Sequence, residues 1–214
     1  MRRAPDVMLT EIHRQAADSP VIRLATMVRK RQSLQLGIFG SSRVILHGSL
    51  EEEDFYNADQ ILVGENETRK RINASIRTAA GKPIGMPVVG DRLVCTENDP
   101  GLGIMNGELF EVIANPMFDK ASGVIRMTLK GIGSDEKTVE AKVPKACFLA
   151  KGYRGKANGL QMFDFGYALT VHKAQGSQWP NVLLWDESTT FEEFRWQWLY
   201  TAITRTSEKI TIVM

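Results

Sequence analysis

The spacing of apolar positions changes character twice along the chain. Val21, Leu24, Ala25 and Val28 recur at helical spacing behind Ser19 and Pro20. This predicts a helix with Ser19 as N-cap and Pro20 in the first turn. Arg29-Lys30-Arg31 suits the negative end of that helix. Ser41 to His47 predicts a short strand around Val44-Ile45-Leu46, and the acidic run Glu51 to Asp54 predicts a solvated helix start. Gln60-Ile61-Leu62-Val63-Gly64 is an apolar run bounded by turn residues, the pattern of a buried strand. Asn66 is placed to cap the helix after it. Ile72 and Ile76 share one face of that helix, and Gly81 with Pro83 ends it.

From about Ile84 to Gly159 the helical period disappears. Val88 to Cys95 reads as a strand. Asn106-Gly107 ahead of Leu109 to Ile113 is a hairpin signal. Ile125, Met127 and Leu129 alternate with Arg126, Thr128 and Lys130, and Val139 to Val143 alternates until Pro144. Several short strands at close spacing predict a small β-barrel of roughly 70 residues. After Gly159 the α/β pattern returns. Tyr167 to Val171, Val182 to Trp185 and Lys209 to Met214 read as strands, and Phe194, Trp198 and Ala202 mark a helix face. The expected architecture is α/β: one parallel-sheet domain built from residues 1–83 and 160–214, interrupted by the β-barrel at 84–159.

Composition narrows the class. The 214 residues are 43% hydrophobic and 24% charged, enough for a packed core and too apolar for a wholly disordered chain. Lys and Arg number 27 against 25 Asp and Glu, a formal charge of +2, which leaves room for a local basic groove but no polybasic tail. No run of about 18 apolar residues exists to cross a membrane. The segment from Met1 to Asp6 lacks the apolar core of a signal peptide. Cys95 and Cys147 lie far apart and fit no CxxC pattern, as expected of two idle thiols in a reducing cytoplasm.

A nucleotide site is the first chemistry to test. Gly81-Lys82 is followed by Pro83, and Gly155-Lys156 by Ala157, so neither continues as the G-x-x-x-x-G-K-[ST] of a P-loop. The apolar strand before Asp186-Glu187 resembles a Mg²⁺-holding acid pair, but without a P-loop these acids read as a solvated strand end. The segment from Tyr167 to Trp179 is different. It gathers Thr170, His172, Lys173, Gln175, Gly176, Ser177 and Gln178 into one strand-to-loop transition. Such donors can grip phosphate oxygens, and Gly176 permits close backbone approach.

Here the chain resembles superfamily 1 helicases, in the branch of RecD and the phage helicase Dda. Tyr-Ala-Leu-Thr-Val-His-Lys-Ala-Gln-Gly from Tyr167 is similar to their motif V, and Leu199 to Thr206 to their motif VI. Leu9 to Gln15, with Asp18 to Ile22 behind it, looks like their motif IV region. Leu62 to Arg69, followed by Asn73 and Ile76-Arg77, is also similar to the family. The four segments keep the family's order and span nearly the whole chain.

The resemblance implies the second half of a motor: a second RecA-like domain carrying a Src-homology-3-like insertion, with Gly90 to Cys95, Asn98-Asp99 and Asn106-Gly107-Glu108 opening that insertion. The P-loop, the Mg²⁺ ligands and the adenine contacts would belong to an N-terminal RecA-like domain. The implied cofactors are ATP and Mg²⁺, and the implied partners are that domain and single-stranded DNA. Arg205 and Arg14 match the two arginines that stabilise charge on the γ-phosphate. Gln175, Gly176 and Gln178 would lie near the nucleotide. Gln178 stands where the family has Glu, keeping the hydrogen-bonding reach and losing the charge. Thr170, His172 and Lys173 resemble residues that hold the DNA backbone without reading sequence. Asn66, Thr68 and Arg69, at a helix N-terminus, would meet a neighbouring phosphate. The resemblance also implies 5′ to 3′ movement in the cytoplasm of a bacterium or phage-infected host. A non-catalytic nucleic-acid-binding module that keeps the fold is the rival class. A nuclease finds no carboxylate cluster at metal-ligand spacing.

Overall fold

The computed structural model describes residues 19–133, 137–149 and 159–214. The described residues fall into two compact units. One is formed by residues up to Asp59 and from Gln175 onward; the other runs from Gln60 to Ala174.

The first unit contains helix α1 (Pro20–Arg29), strands β1 (Gly37–Phe39) and β2 (Ser42–Ile45), and the short helix α2 (Glu52–Tyr56). Val21, Leu24, Ala25 and Val28 form the buried face of α1, as their spacing predicts. Ser19 occupies the N-cap position, but its side chain makes no capping bond, so Pro20 alone accounts for the sharp start. The acidic run does begin a helix. Glu51 and Asp54 cap it reciprocally, and the acids lie at its positive end.

Strands β11 (Trp179–Trp185) and β12 (Thr206–Val213) and helix α4 (Arg195–Ile203) complete this unit. The strands β11 and β12 pair in parallel, β12 pairs β2 in parallel, and β1 is antiparallel to β2. Val182, Leu183 and Leu184 are buried without alternation, as are Ile210, Ile212 and Val213, which suits parallel strands covered on both faces. Helix α1 packs on α4 and β12. The α4 face is Trp198, Leu199, Ala202 and Ile203; Phe194 precedes the helix and is 60% exposed, so it does not belong to that face as its spacing suggested.

The second unit opens with β3 (Gln60–Val63), buried at every position, and helix α3 (Asn66–Ala79). Glu65 is the N-cap of α3, which moves Asn66 from the capping role into the first helical turn. Strand β10 (Ala168–Thr170) pairs with β3 in parallel, and α3 packs on both strands.

Between α3 and β10 lies an antiparallel sheet of β4 (Arg92–Cys95), β5 (Leu109–Val112), β6 (Met117–Asp119), β7 (Val124–Gly131), β8 (Thr138–Pro144) and β9 (Phe163–Phe165). In it β4 pairs β5 and β9, and β7 pairs β5, β6 and β8. Leu93, Phe110, Ile125, Met127, Leu129, Val143 and Phe163 form its core. Strand β4 is shorter than the apolar run suggested. Val88 to Asp91 is instead a turn, closed by the Asp91 N–H on the Val88 carbonyl and the Val88 N–H on the Asp91 carboxylate. The sheet also extends past Gly159, because β9 pairs with β4 through Leu93 opposite Phe165 and Cys95 opposite Phe163.

Candidate functional site

In the first unit, helix α4 ends at Ile203 and delivers Arg205 to the start of β12. The half-buried guanidinium donates from Nε to the Thr201 carbonyl at 3.3 Å, from Nη1 to the Ser177 carbonyl at 3.2 Å and from Nη2 to the Thr204 hydroxyl at 3.4 Å. The Trp179 N–H donates to the Arg205 carbonyl at 2.9 Å, and Gln178 Nε2 donates to the Thr206 carbonyl at 3.4 Å. The segment Ser177-Gln178 is thereby stitched to Arg205-Thr206 along the β11–β12 pairing. Gln175, Gly176 and Gln178 are exposed. Gly176 sits at φ +90°, a conformation that suits glycine, and the space where a Cβ would stand is open. The loop presents bare backbone there. Arg14, with the rest of Leu9 to Gln15, lies outside the described residues; of the motif IV-like region only Ser19 to Ile22 is described, at the start of α1.

In the second unit, β10 is held by Asn73 on α3. Its Nδ2 donates to the Ala168 carbonyl at 3.1 Å, and its Oδ1 accepts the Ala168 N–H at 2.9 Å. The Val171 N–H then meets the Val63 carbonyl, and the Ala174 N–H closes a turn on the Thr170 carbonyl. Thr170 is buried, and its hydroxyl faces the Lys173 N–H at 3.4 Å. This hydroxyl shapes the turn. His172 is exposed and Lys173 half-buried. A Cβ at Gly107, which adopts φ +93°, would lie 3.2 Å from the Lys173 carbonyl oxygen. Glycine at that turn thus lets the antiparallel sheet approach the Lys173 backbone.

Thr68 and Arg69 are buried on the first turns of α3, whereas Asn66 is exposed. Arg69 Nη2 pairs with the Asp164 carboxylate at 2.8 Å, and its Nε donates to Asn66 Oδ1 at 3.3 Å. Burial and the nearby Arg69 charge push the Lys173 ammonium below its usual range, against the opposing pull of Asp164. Lys173, Arg69 and Asp164 therefore share one electrostatic neighbourhood.

A further cluster joins groups that the sequence reading did not connect. Asp91 is fully buried, and its carboxylate receives Arg77 Nε and Nη2, Lys82 Nζ, the Tyr167 hydroxyl and the Val88 N–H. Burial alone would raise the carboxyl; the donors, Arg77 foremost, outweigh it and hold Asp91 below the usual carboxylate range. Arg77 also covers the Phe165 ring at 3.9 Å, a cation–π geometry. The end of α3, the start of β4 and the residue before β10 are tied at one point. The available signal was a carboxylate set between Val88-Val89 and Leu93-Val94, because a charge inside an apolar run needs partners.

The two groups suit different work. Exposed backbone and a guanidinium in the first unit can meet a nucleotide. Cations and a helix N-terminus in the second can meet a polyanion.

Comparison with known proteins points the same way. Residues 165–213 match the UvrD-like helicase C-terminal domain. The chain is 28% identical to the ATP-dependent RecD2 DNA helicase of Deinococcus radiodurans, over 96% of its own length and 28% of that protein. It is 26% identical to the RecBCD enzyme subunit RecD of Mycobacterium tuberculosis, over 91% of its length and 30% of that protein. It thus spans about a third of the curated relatives it matches. Among solved structures, Bacteroides Pif1 bound to single-stranded DNA shares the fold with a TM-score of 0.54 at 16% identity, covering 96% of this chain and 51% of that one. Pif1 helicase from Candida albicans does so with a TM-score of 0.51 at 14% identity, covering 95% and 55%. The mixed α/β fold with parallel strands is therefore one that Pif1 helicases share, the chain is similar along most of its length to helicases of the RecD type, and residues 165–213 are similar to a UvrD-like helicase C-terminal domain.

Proposed function

We propose that this chain is the C-terminal motor half of an ATP-dependent DNA helicase. In this reading residues 1–83 and 160–214 form the second RecA-like domain, and residues 84–159, whose antiparallel sheet β9 completes from beyond that boundary, are the small inserted β-barrel. An N-terminal RecA-like domain supplies the P-loop and the Mg²⁺ ligands, so the chain alone is inactive. Arg205 is the arginine that meets γ-phosphate charge, and Arg14 is the second. The observation that carries the reading is the link from Arg205 to the Ser177 carbonyl, since it ties the motif VI-like segment to the residue directly after the motif V-like one. A guanidinium has five N–H donors, and three contacts leave others for phosphate oxygens. Gln175, Gly176 and Gln178 would flank the nucleotide, and Mg²⁺ held by the N-terminal domain would neutralise phosphate charge.

Thr170, His172, Lys173, Asn66, Thr68 and Arg69 would form this half of the single-strand track. Of these, Thr170 acts by shaping the Lys173 turn, and Asn66 and His172 lie exposed at the surface. ATP-driven closure on the missing domain, followed by reopening, would step the motor along a strand, 5′ to 3′ by the RecD-like resemblance, in the cytoplasm.

The experiment is to read the gene upstream of Met1 and produce the longer protein. An in-frame G-x-x-x-x-G-K-[ST], with ATP hydrolysis stimulated by single-stranded DNA, is the expected result. A stop codon there, with DNA binding and no hydrolysis, would leave the non-catalytic binding module instead.

A further inference from the structure

The cationic neighbourhood at the start of α3 is incompletely paired. Arg69 is only 5% exposed. Its Nη2 holds Asp164 and its Nε holds Asn66, but its Nη1 is buried and meets no acceptor. Lys173 lies within reach of the same carboxylate's field. The carboxylate is paired with Arg69 and acts on Lys173 only through its charge, and Arg69 stands in the first turns of a 14-residue helix whose dipole also favours an anion. One guanidinium donor of the site lacks an acceptor. A phosphodiester supplies an acceptor and a negative charge, through two non-bridging oxygens.

The carboxylate is also the more accessible partner. The Asp164 side chain is 26% exposed against 5% for Arg69, and it stands on β9, anchored opposite Val94 of β4. It can give way to an incoming group without unmaking the core beneath it.

We infer that Asp164 is a stand-in for a strand phosphate: it occupies the Arg69–Lys173 pair when no nucleic acid is bound and competes with the phosphate that displaces it. The inference rests on the strand-binding reading above and adds to it a positioning residue that the helicase-like segments did not single out. Its physical use is release. A motor must let go of the strand in every cycle, and a buried cation left without a partner resists release. Asp164 re-covers the pair as the phosphate leaves.

The test is fluorescence anisotropy of the 214-residue chain with a short labelled oligothymidylate across a salt series, beside thermal melting. Asp164→Asn is expected to bind about fivefold tighter. Its logarithmic salt slope should steepen by up to about 0.7, the value for one additional phosphate contact on a single strand. Its melting temperature should fall, because Arg69 loses its carboxylate. A residue that is only structural would lose stability and affinity together. Affinity unchanged or weakened in folded Asp164→Asn overturns the inference.

Should Asp164→Asn not fold, Asn66→Asp decides. That carboxylate would face Arg69 from the exposed first turn of α3, where the helix dipole favours it. Weaker strand binding with an unchanged or higher melting temperature supports the inference, and unchanged or tighter binding overturns it. If the unaltered chain binds no strand even at low salt, the strand-binding reading itself fails and takes the inference with it.

Discussion

The Arg205 guanidinium donates through Nη1 to the carbonyl oxygen of Ser177 at 3.2 Å. The bond holds the side chain against an exposed loop, beside Gly176 and Gln178, and no carboxylate among the described residues forms an ion pair with it. An arginine so held is preorganised, which is what stabilisation of transition-state charge requires.

In the complete motor proposed above, Arg205→Ala and Arg205→Lys should each lower DNA-stimulated ATP turnover at least about a hundredfold, since arginines of this kind are worth about 10³–10⁵ in turnover. Lysine keeps the charge but loses the planar fork. Single-strand affinity should change only a few fold, because Arg205 is assigned to the nucleotide. Near-normal turnover in Arg205→Ala would return the residue to a purely structural role.

The chain alone should bind ATP–Mg²⁺ weakly and not hydrolyse it. In the reading proposed above, its share of the site is a guanidinium and an exposed loop, and most phosphate contacts belong to the other domain. Isothermal calorimetry checks this. A low-micromolar dissociation constant would mean that a complete nucleotide site exists within these residues.

Asp91→Asn should cost about 3–5 kcal/mol of stability, because it strands the buried Arg77 beside Lys82. The pH dependence has a definite sign. The Asp91 carboxyl is held below its ordinary 3.8, so its contribution is fully present above that value and disappears as pH falls through the lower folded one. Urea unfolding of the unaltered chain should show the loss below about pH 4, and Asp91→Asn should show a smaller loss over the same range. Equal losses in both would remove Asp91 from the account.

Both thiols should be slow to react in the folded protein. Burial pushes Cys95 up to about 11 and Cys147 likewise to about 11. At pH 8 that leaves roughly one thiolate in a thousand. Iodoacetamide should label both cysteines slowly until urea unfolds the chain, and rapid labelling of either in the native state would contradict this environment.

Much of the local structure could be read without coordinates. The helical spacing of Val21, Leu24, Ala25 and Val28, the alternation of Ile125, Met127 and Leu129, and the unbroken run Ile61-Leu62-Val63 each specify an element, because burial on one side, or on both, writes its period directly into the sequence. The likeness of Tyr167–Gly176 and Leu199–Thr206 to helicase segments was equally legible, since those residues are contiguous.

Tertiary structure decided what depends on partners distant in sequence. Phe163–Phe165 is a strand because β4 offers it a ladder; three residues carry no period of their own. Val88 to Gly90 turns rather than extends because the Asp91 carboxylate captures the Val88 N–H. Asn66 is not the cap of α3 because the helix starts one residue after Glu65. Arg77, Lys82, Asp91 and Tyr167 form one network, and Arg69 meets Asp164, through folding alone. A sequence records which residues are apolar and which are charged. Which charge neutralises which is settled only when the fold excludes water from between them, because a buried charge must then take whatever partner the packing brings.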